Sequence, residues 1–138
     1  MPFALDASTT LAWFLPDEAS ATADVSLDQL TEETALVPPG WPTEVANGFL
    51  VAERRGRLTV AETVRSLARL SALPIRIVPA ASDAVWDRVL DLAREHDLTA
   101  YDAAYLELAI RERAALATLD SALRAAAHRA GVPMVGET

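Results

Sequence analysis

The chain contains no cysteine, which excludes both a disulfide framework and a thiolate metal site. It contains no lysine either, because all 12 of its basic residues are arginine. Arginine binds phosphate and carboxylate through a planar fork, although an alanine- and arginine-rich composition reflects genomic base composition equally well. Glycine is scarce, at 5 residues, and forms no Gly-rich phosphate loop. The two histidines, His96 and His128, are isolated and lack ligand spacing, so both are expected at the surface or at helix ends. No stretch is apolar for long enough to cross a bilayer. The start, Met1 to Asp6, has no basic segment followed by an apolar run, which argues against a signal peptide and for a cytosolic protein. Positive charge is in the minority: the net charge is −8 and the sequence pI about 4.6. That excludes a broad basic face gripping nucleic acid. It does not exclude an enzyme that meets phosphates through a metal ion.

What is present suits one folded unit, residues 1–138, with 51% hydrophobic residues to build a core. Short apolar runs at Phe3–Leu5, Ala35–Val37, Ile75–Val78 and Ala115–Thr118 read as buried strands, and Val132–Val135, interrupted by Pro133, as a last edge strand. Between them lie helical patterns. The first opens at Ala7 and stops at Pro16. A second runs from about Glu18 to Leu30, with Val25, Leu27 and Leu30 as its apolar positions. A third starts at Pro42 and is capped by Gly56. Thr59 with Glu62 forms a capping box for a fourth, lined by Val64, Leu67, Ala68 and Leu70. A fifth begins at Ser82 and carries Val85, Trp86, Val89, Leu90 and Ala93. The helix opened by Thr99 is apolar nearly all round and is expected to be central. A last helix runs from Ser121 to Gly131. Short strands alternating with helices predict an α/β fold, a mainly parallel sheet flanked by helices on both faces.

Four acids occupy element ends: Asp6, Glu44, Asp102 and Asp120. Asp6 and Asp120 each follow a strand and precede a helix. Parallel strands present their carboxyl ends on one edge, where α/β sites form. Taken singly, each acid has a structural explanation. Asp6 and Asp120 suit helix N-caps, Thr99-x-x-Asp102 resembles a capping box, and Glu44 gains from the helix dipole. Taken together, they imply a shared site, because gathering unpaired carboxylates beside a core is costly without a counter-charge. A hard divalent cation is the expected counter-charge. Glu53, Glu62, Glu95, Glu107 and Glu112 read as solvated helix charges.

The segments Asp6-Ala7-Ser8, Trp41-Pro42-Thr43-Glu44-Val45-Ala46-Asn47, Leu98 to Ala109 around Asp102, and Leu116-Ala117-Thr118-Leu119-Asp120 together resemble the PIN domain, and more closely the ribonuclease toxins of VapBC-type toxin–antitoxin pairs. The resemblance covers essentially the whole chain. It implies the PIN-like fold and a metal-dependent endoribonuclease. Asp6 and Asp102 would be the principal ligands of Mg²⁺, with Mn²⁺ as a substitute; Asp120 and Glu44 would complete the cluster, and Thr118 would supply a supporting hydroxyl. Ser121 and Ala122 stand where some relatives carry a further acid, which leaves a second metal short of a ligand. The resemblance also implies an RNA substrate, a homodimer and a small VapB-type antitoxin that lays a segment over the acidic pocket.

Arg54, Arg55 and Arg57, followed by Arg65 and Arg69, read either as an RNA-phosphate contact zone or as solvated helix-end charge. Trp13, Phe14 and Phe49 are candidates for an interface or for the core. Two other functions compete. A metal-dependent phosphohydrolase on small molecules is disfavoured by Ser8, which stands where a second aspartate would be expected. A non-catalytic dimeric interaction module would use the four acids only as caps.

Overall fold

The computed structural model describes residues 1–18 and 20–137. Four three-residue strands form one sheet in the order β3-β2-β1-β4, where β1 is Phe3–Leu5, β2 Ala35–Val37, β3 Ile75–Ile77 and β4 Ala115–Ala117. All pairings are parallel, with Phe3 opposite both Ala35 and Ala115. The chain builds outward from β1 to β3, then returns to lay β4 on the other side of β1. The strand order therefore reverses between β1 and β4, the position at which open α/β sheets form their binding crevice. β1 and β2 are buried throughout, as expected for strands covered on both faces.

The helices are α1 (Ala7–Ala12), α2 (Ala21–Gln29), α3 (Trp41–Arg54), α4 (Val60–Ser71), α5 (Ser82–Ala84), α6 (Leu90–His96), α7 (Ala100–Glu112) and α8 (Ser121–Arg129), with a 3₁₀ turn at Pro16–Glu18. The core gathers Phe3, Leu5, Leu36, Phe49, Tyr105, Leu106, Leu116 and Leu123. Central α7 buries Ala103, Tyr105, Leu106, Leu108 and Ala109, as its apolar composition predicts.

Local capping follows the sequence closely. Thr59 accepts from the Glu62 amide, and the Glu62 carboxylate accepts from the Thr59 amide, so both arms of the capping box form. Gly56, at φ +72°, ends α3. Its amide bonds Glu53 O and the Arg57 amide bonds Ala52 O, the paired contacts of a Schellman motif, which needs a left-handed residue that glycine adopts without strain.

Several expectations are corrected. Residues Val132–Val135 form only an isolated bridge, Leu116 to Met134. Proline at 133 has no amide to donate, so pairing stops at that contact. Val25 and Leu27 are exposed, and α2 instead buries Thr22, Ala23 and Ser26. In α4, Val64 and Leu67 are also exposed, leaving Thr63 and Leu70 inward. The helix from Ser82 is not continuous: residues Val85–Val89 form a π turn between α5 and α6, which shifts the register and leaves Trp86 67% exposed. Glu107 is buried, not solvated, and accepts from Arg111 Nε at 3.0 and 3.1 Å. His96 ends α6, as expected, but is buried and accepts from Arg129 Nε at 3.3 Å. Phe49 belongs to the core and Phe14 packs on it, ring centroids 5.7 Å apart.

Candidate active site

Asp6 leaves the carboxyl end of β1 and caps α1. It is only 3% exposed, and such a carboxylate needs donors on every side. Ser8 Oγ lies 2.8 Å from both of its oxygens, the Thr9 amide donates to Oδ1 at 2.9 Å, and Thr118 Oγ1 donates to Oδ2. Burial nevertheless holds its pKa above the ordinary carboxylate value, against the opposing effect of these donors.

The same hydroxyls tie in the neighbouring strand end. Thr118, fully buried just after β4, accepts from the Asp120 amide at 3.0 Å, and Ser8 Oγ accepts from the Leu119 amide at 3.1 Å. Asp120 caps α8 through the Leu123 amide at 2.8 Å. Two loops at the switch point are thus bolted together through two hydroxyls and one carboxylate. A Thr118→Val substitution keeps the shape but removes a donor to a buried charge and an acceptor. It is expected to cost about 1–3 kcal/mol, measurable by urea denaturation, while leaving the slope of that transition unchanged.

The other two acids come from separate helices. Glu44 lies in the first turn of α3 and Asp102 in the first turn of α7, where Thr99 caps the helix by accepting from the Asp102 amide at 3.1 Å. Both are half-buried. Burial raises the pKa of Glu44, the contact with the Tyr105 hydroxyl opposes it, and the charges of Asp102 and Asp6 raise it further. Burial also raises Asp102, with the Asp120 charge adding to it and the Thr99 contact opposing it. The four candidate acids therefore feel one another's charge across one edge of the sheet. Among the described residues, however, no three acidic or histidine side chains form a ready cage for an ion.

The donor set fits a hard divalent cation in kind. It is all oxygen, anionic and mutually repelling, which a cation relieves. Tyr105 gives an independent sign of incompleteness. It is 1% exposed, yet among the described residues its hydroxyl makes no well-formed hydrogen bond, and its contacts with the Glu44 carboxylate and the Ala7 backbone are loose. Burial and the Glu44 and Asp6 charges push its pKa far above the usual phenol value, so it remains a proton donor at any working pH. A buried hydroxyl held so loosely beside a carboxylate cluster fits a site whose remaining ligands are water or substrate.

A family model described as the PIN domain matches residues 3–129. The chain belongs to the PIN-domain family. Within it, a relative named ribonuclease VapC3, from Pyrobaculum aerophilum, is 32% identical over 123 residues, spanning 89% of this chain and 92% of that protein. This places the chain among VapC-type PIN proteins. The crystal structure of PAE2754 from the same organism superposes with a TM-score of 0.67 at 26% identity, covering 91% of this chain and 87% of that one. Mycobacterium tuberculosis VapC20, described as a sarcin-ricin loop cleaving toxin, shares the fold with a TM-score of 0.62 at 14% identity, over 90% and 94% of the two chains.

Within this PIN fold the expected arginines lie away from the acids. Arg54 is ten residues beyond Glu44 on α3, about 15 Å along the axis. Arg57 donates to Asp17 at 2.7 Å and to Glu18 at 3.2 Å, so two carboxylates already offset its charge. Sequence reasoning missed two site residues. Ser8 was legible only as the polar member of Asp-x-Ser at a helix start. Tyr105 is three residues beyond Asp102, and that spacing places both on one side of α7.

Proposed function

We propose that this VapC-type PIN protein, residues 1–138 acting as one unit, is the endoribonuclease toxin of a type II toxin–antitoxin pair, hydrolysing RNA phosphodiester bonds at the β1/β4 edge. The observation that carries the reading is electrostatic. Acids from four separate elements share one edge; burial raises the pKa of Asp6, Glu44 and Asp102, and for Glu44 and Asp102 the charge of neighbouring acids raises it further. That arrangement is costly in the absence of a bound cation.

Asp6 and Asp102 would hold the cation as principal ligands, with Glu44 and Asp120 completing the set directly or through water. Mg²⁺ is the expected ion and Mn²⁺ a substitute; when bound, it supplies Lewis acidity toward water and the scissile phosphate. The chain's own residues do the positioning. Ser8 and Thr118 aim the Asp6 carboxylate. To engage an ion, Asp6 exchanges one of these hydroxyl contacts, which both rotors permit. Tyr105 Oη is placed to donate to Glu44 or to a water beside it. With a net charge of −8, the protein repels RNA at long range, and a cation among these acids would lessen that repulsion locally. Arg54 and Arg55 would meet phosphates one or two nucleotides away from the cleaved one.

A cytoplasmic setting, a homodimer and a VapB-type antitoxin covering the acidic edge complete the reading. Mapping RNA ends after induced expression tests it. The expected result is new 5′-phosphate and 3′-hydroxyl ends at a small number of sites, absent with Asp102→Asn. A 2′,3′-cyclic phosphate at the cut would mean that the 2′-hydroxyl attacked, and would overturn the hydrolytic reading.

A further inference from the structure

Beside the acids, on the same sheet edge, a cavity of about 350 Å³ opens between the loop after β2, the π turn and α7. Glu44, Glu107 and Arg111 are the charged residues that line it. The other walls are apolar, contributed by Pro38, Val78, Val85, Val89 and Ala104. From α7, Ala100, Ala104, Glu107 and Arg111 fall on one stripe at helical spacing, beside Asp102 on the adjoining face. Tyr101, at the rim, is 71% exposed. Val85 and Val89 are the two ends of the π turn, and such turns recur at functional sites because they re-aim side chains.

We propose that this cavity is a nucleobase subsite that selects the nucleotide next to the cleaved phosphate, and that guanine is the base it fits. The inference rests on the ribonuclease reading. The walls are mostly apolar and the Arg111 charge is already offset by Glu107, which suits a neutral planar base better than a phosphate. Splayed RNA bases are held by stacking on aromatic and apolar walls and read on their edges. Glu107 and Arg111 supply that reading. Arg111 binds Glu107 through Nε alone, and its Nη atoms have no hydrogen bond among the described residues. Glu107, 3% exposed and with both oxygens engaged by Nε, holds the guanidinium in place, and the free Nη groups form a fork of donors. Guanine offers the complement, two acceptors at O6 and N7, where adenine sets an amine beside N7. Tyr101 is placed to stack on the ribose or on the following base.

Two measurements on the full chain test this. In an NMR titration, guanosine 5′-monophosphate, which contains no diester to cleave, is expected to shift the amides of Val85, Val89 and Ala104, more strongly than adenosine 5′-monophosphate does. Ribose 5-phosphate is expected to leave them unmoved, and Ala104→Leu, which fills the cavity, to abolish the shifts. In cleavage assays with Mg²⁺, an RNA lacking the base beside its scissile phosphate is expected to react about tenfold more slowly than its guanine counterpart, equivalent to about 1.4 kcal/mol. Ala104→Leu is expected to cut both at one rate. Equal shifts from the nucleotides and from ribose 5-phosphate overturn the subsite, as do equal wild-type cleavage rates on the two RNAs. Stronger shifts from adenosine 5′-monophosphate overturn the guanine assignment. Nucleotide-specific shifts without RNA cleavage leave the subsite standing and sink the ribonuclease reading. If Ala104→Leu weakens antitoxin binding while the base dependence is untouched, the cavity belongs to the protein partner and the proposal fails.

Discussion

Asp6→Asn and Asp102→Asn are each expected to lower RNA cleavage by about a thousandfold or more while leaving the fold intact. A bound cation contributes several kcal/mol of charge stabilisation, and each 1.36 kcal/mol is about tenfold in rate; removing an anionic ligand from it forfeits most of that. The stability side follows from the contacts. Asparagine caps a helix as well as aspartate does, so Asp6→Asn keeps the Thr9 contact that starts α1. Its side-chain NH₂ cannot accept, but Thr118 and Ser8 can each reverse a hydroxyl and accept from it. The loss of hydrogen bonding is then offset by removal of a buried charge, and the net change in unfolding free energy is expected within about 1 kcal/mol. Asp102→Asn should be neutral or stabilising, since the charge removed is opposed by burial and by Asp120. Single-turnover cleavage and urea denaturation of the same preparations check both halves. Activity lost only in proportion to stability would mean that the acids are caps and nothing more.

Capping is nonetheless part of what they do. Asp6 and Asp120 both accept from the amide three residues on, as their sequence context predicts. The cap and the proposed ligand are one feature: a strand that ends at the sheet edge must turn into a helix, and the residue at that turn is both the natural cap and the one facing the crevice. This is why Asp6 and Asp120 could be picked out of the sequence by position. The strands, the Thr59–Glu62 box and the Gly56 cap were legible for a related reason, since each depends on a few neighbouring residues.

What was not legible depends on contacts distant in sequence. Val64 and Leu67 match a buried helical stripe in composition, yet α4 turns them outward, because only the packing of α4 on the rest of the molecule decides which stripe faces in. The π turn at Val85–Val89 carries no proline or glycine to announce it. Glu107 read as solvated because its partner Arg111 is effective only once the surrounding helix is buried. The ties from Thr118 to Asp6 and from Leu119 to Ser8 each span more than a hundred residues and follow from the β1–β4 pairing, which topology sets. Tyr105 looked like one more apolar position of α7, and only its loosely held hydroxyl beside Glu44 marks it as part of the site.

Millimolar Mn²⁺ or Mg²⁺ is expected to raise the melting temperature, and more so at neutral than at acid pH. Asp6, Glu44 and Asp102 all have folded-state pKa values above their ordinary values of 3.8, 4.5 and 3.8. Over the window that opens at those values and extends upward, the folded protein binds more protons than the unfolded chain, so these groups make stability fall as pH rises. The apo protein is therefore expected to carry a larger electrostatic penalty near neutrality than at acid pH, where more of the cluster is protonated. A cation that binds only the folded state stabilises it by about 2.7 kcal/mol at a concentration a hundredfold above its dissociation constant. For a domain of this size that corresponds to on the order of 10 °C. At pH 5 protons compete for the same oxygens, and the rise should shrink. Exposed Asp17 and Glu62 shift the other way, through Arg57 and the Thr59 cap respectively; lying far from the cation, they alter the baseline with pH but not the increment on adding metal. Scanning calorimetry at pH 5 and 7.5, with and without Mn²⁺, separates the two. An increment that is independent of pH, or equally large in Asp6→Asn, would show that the ion is bound elsewhere and that the raised pKa values of the cluster serve no cation.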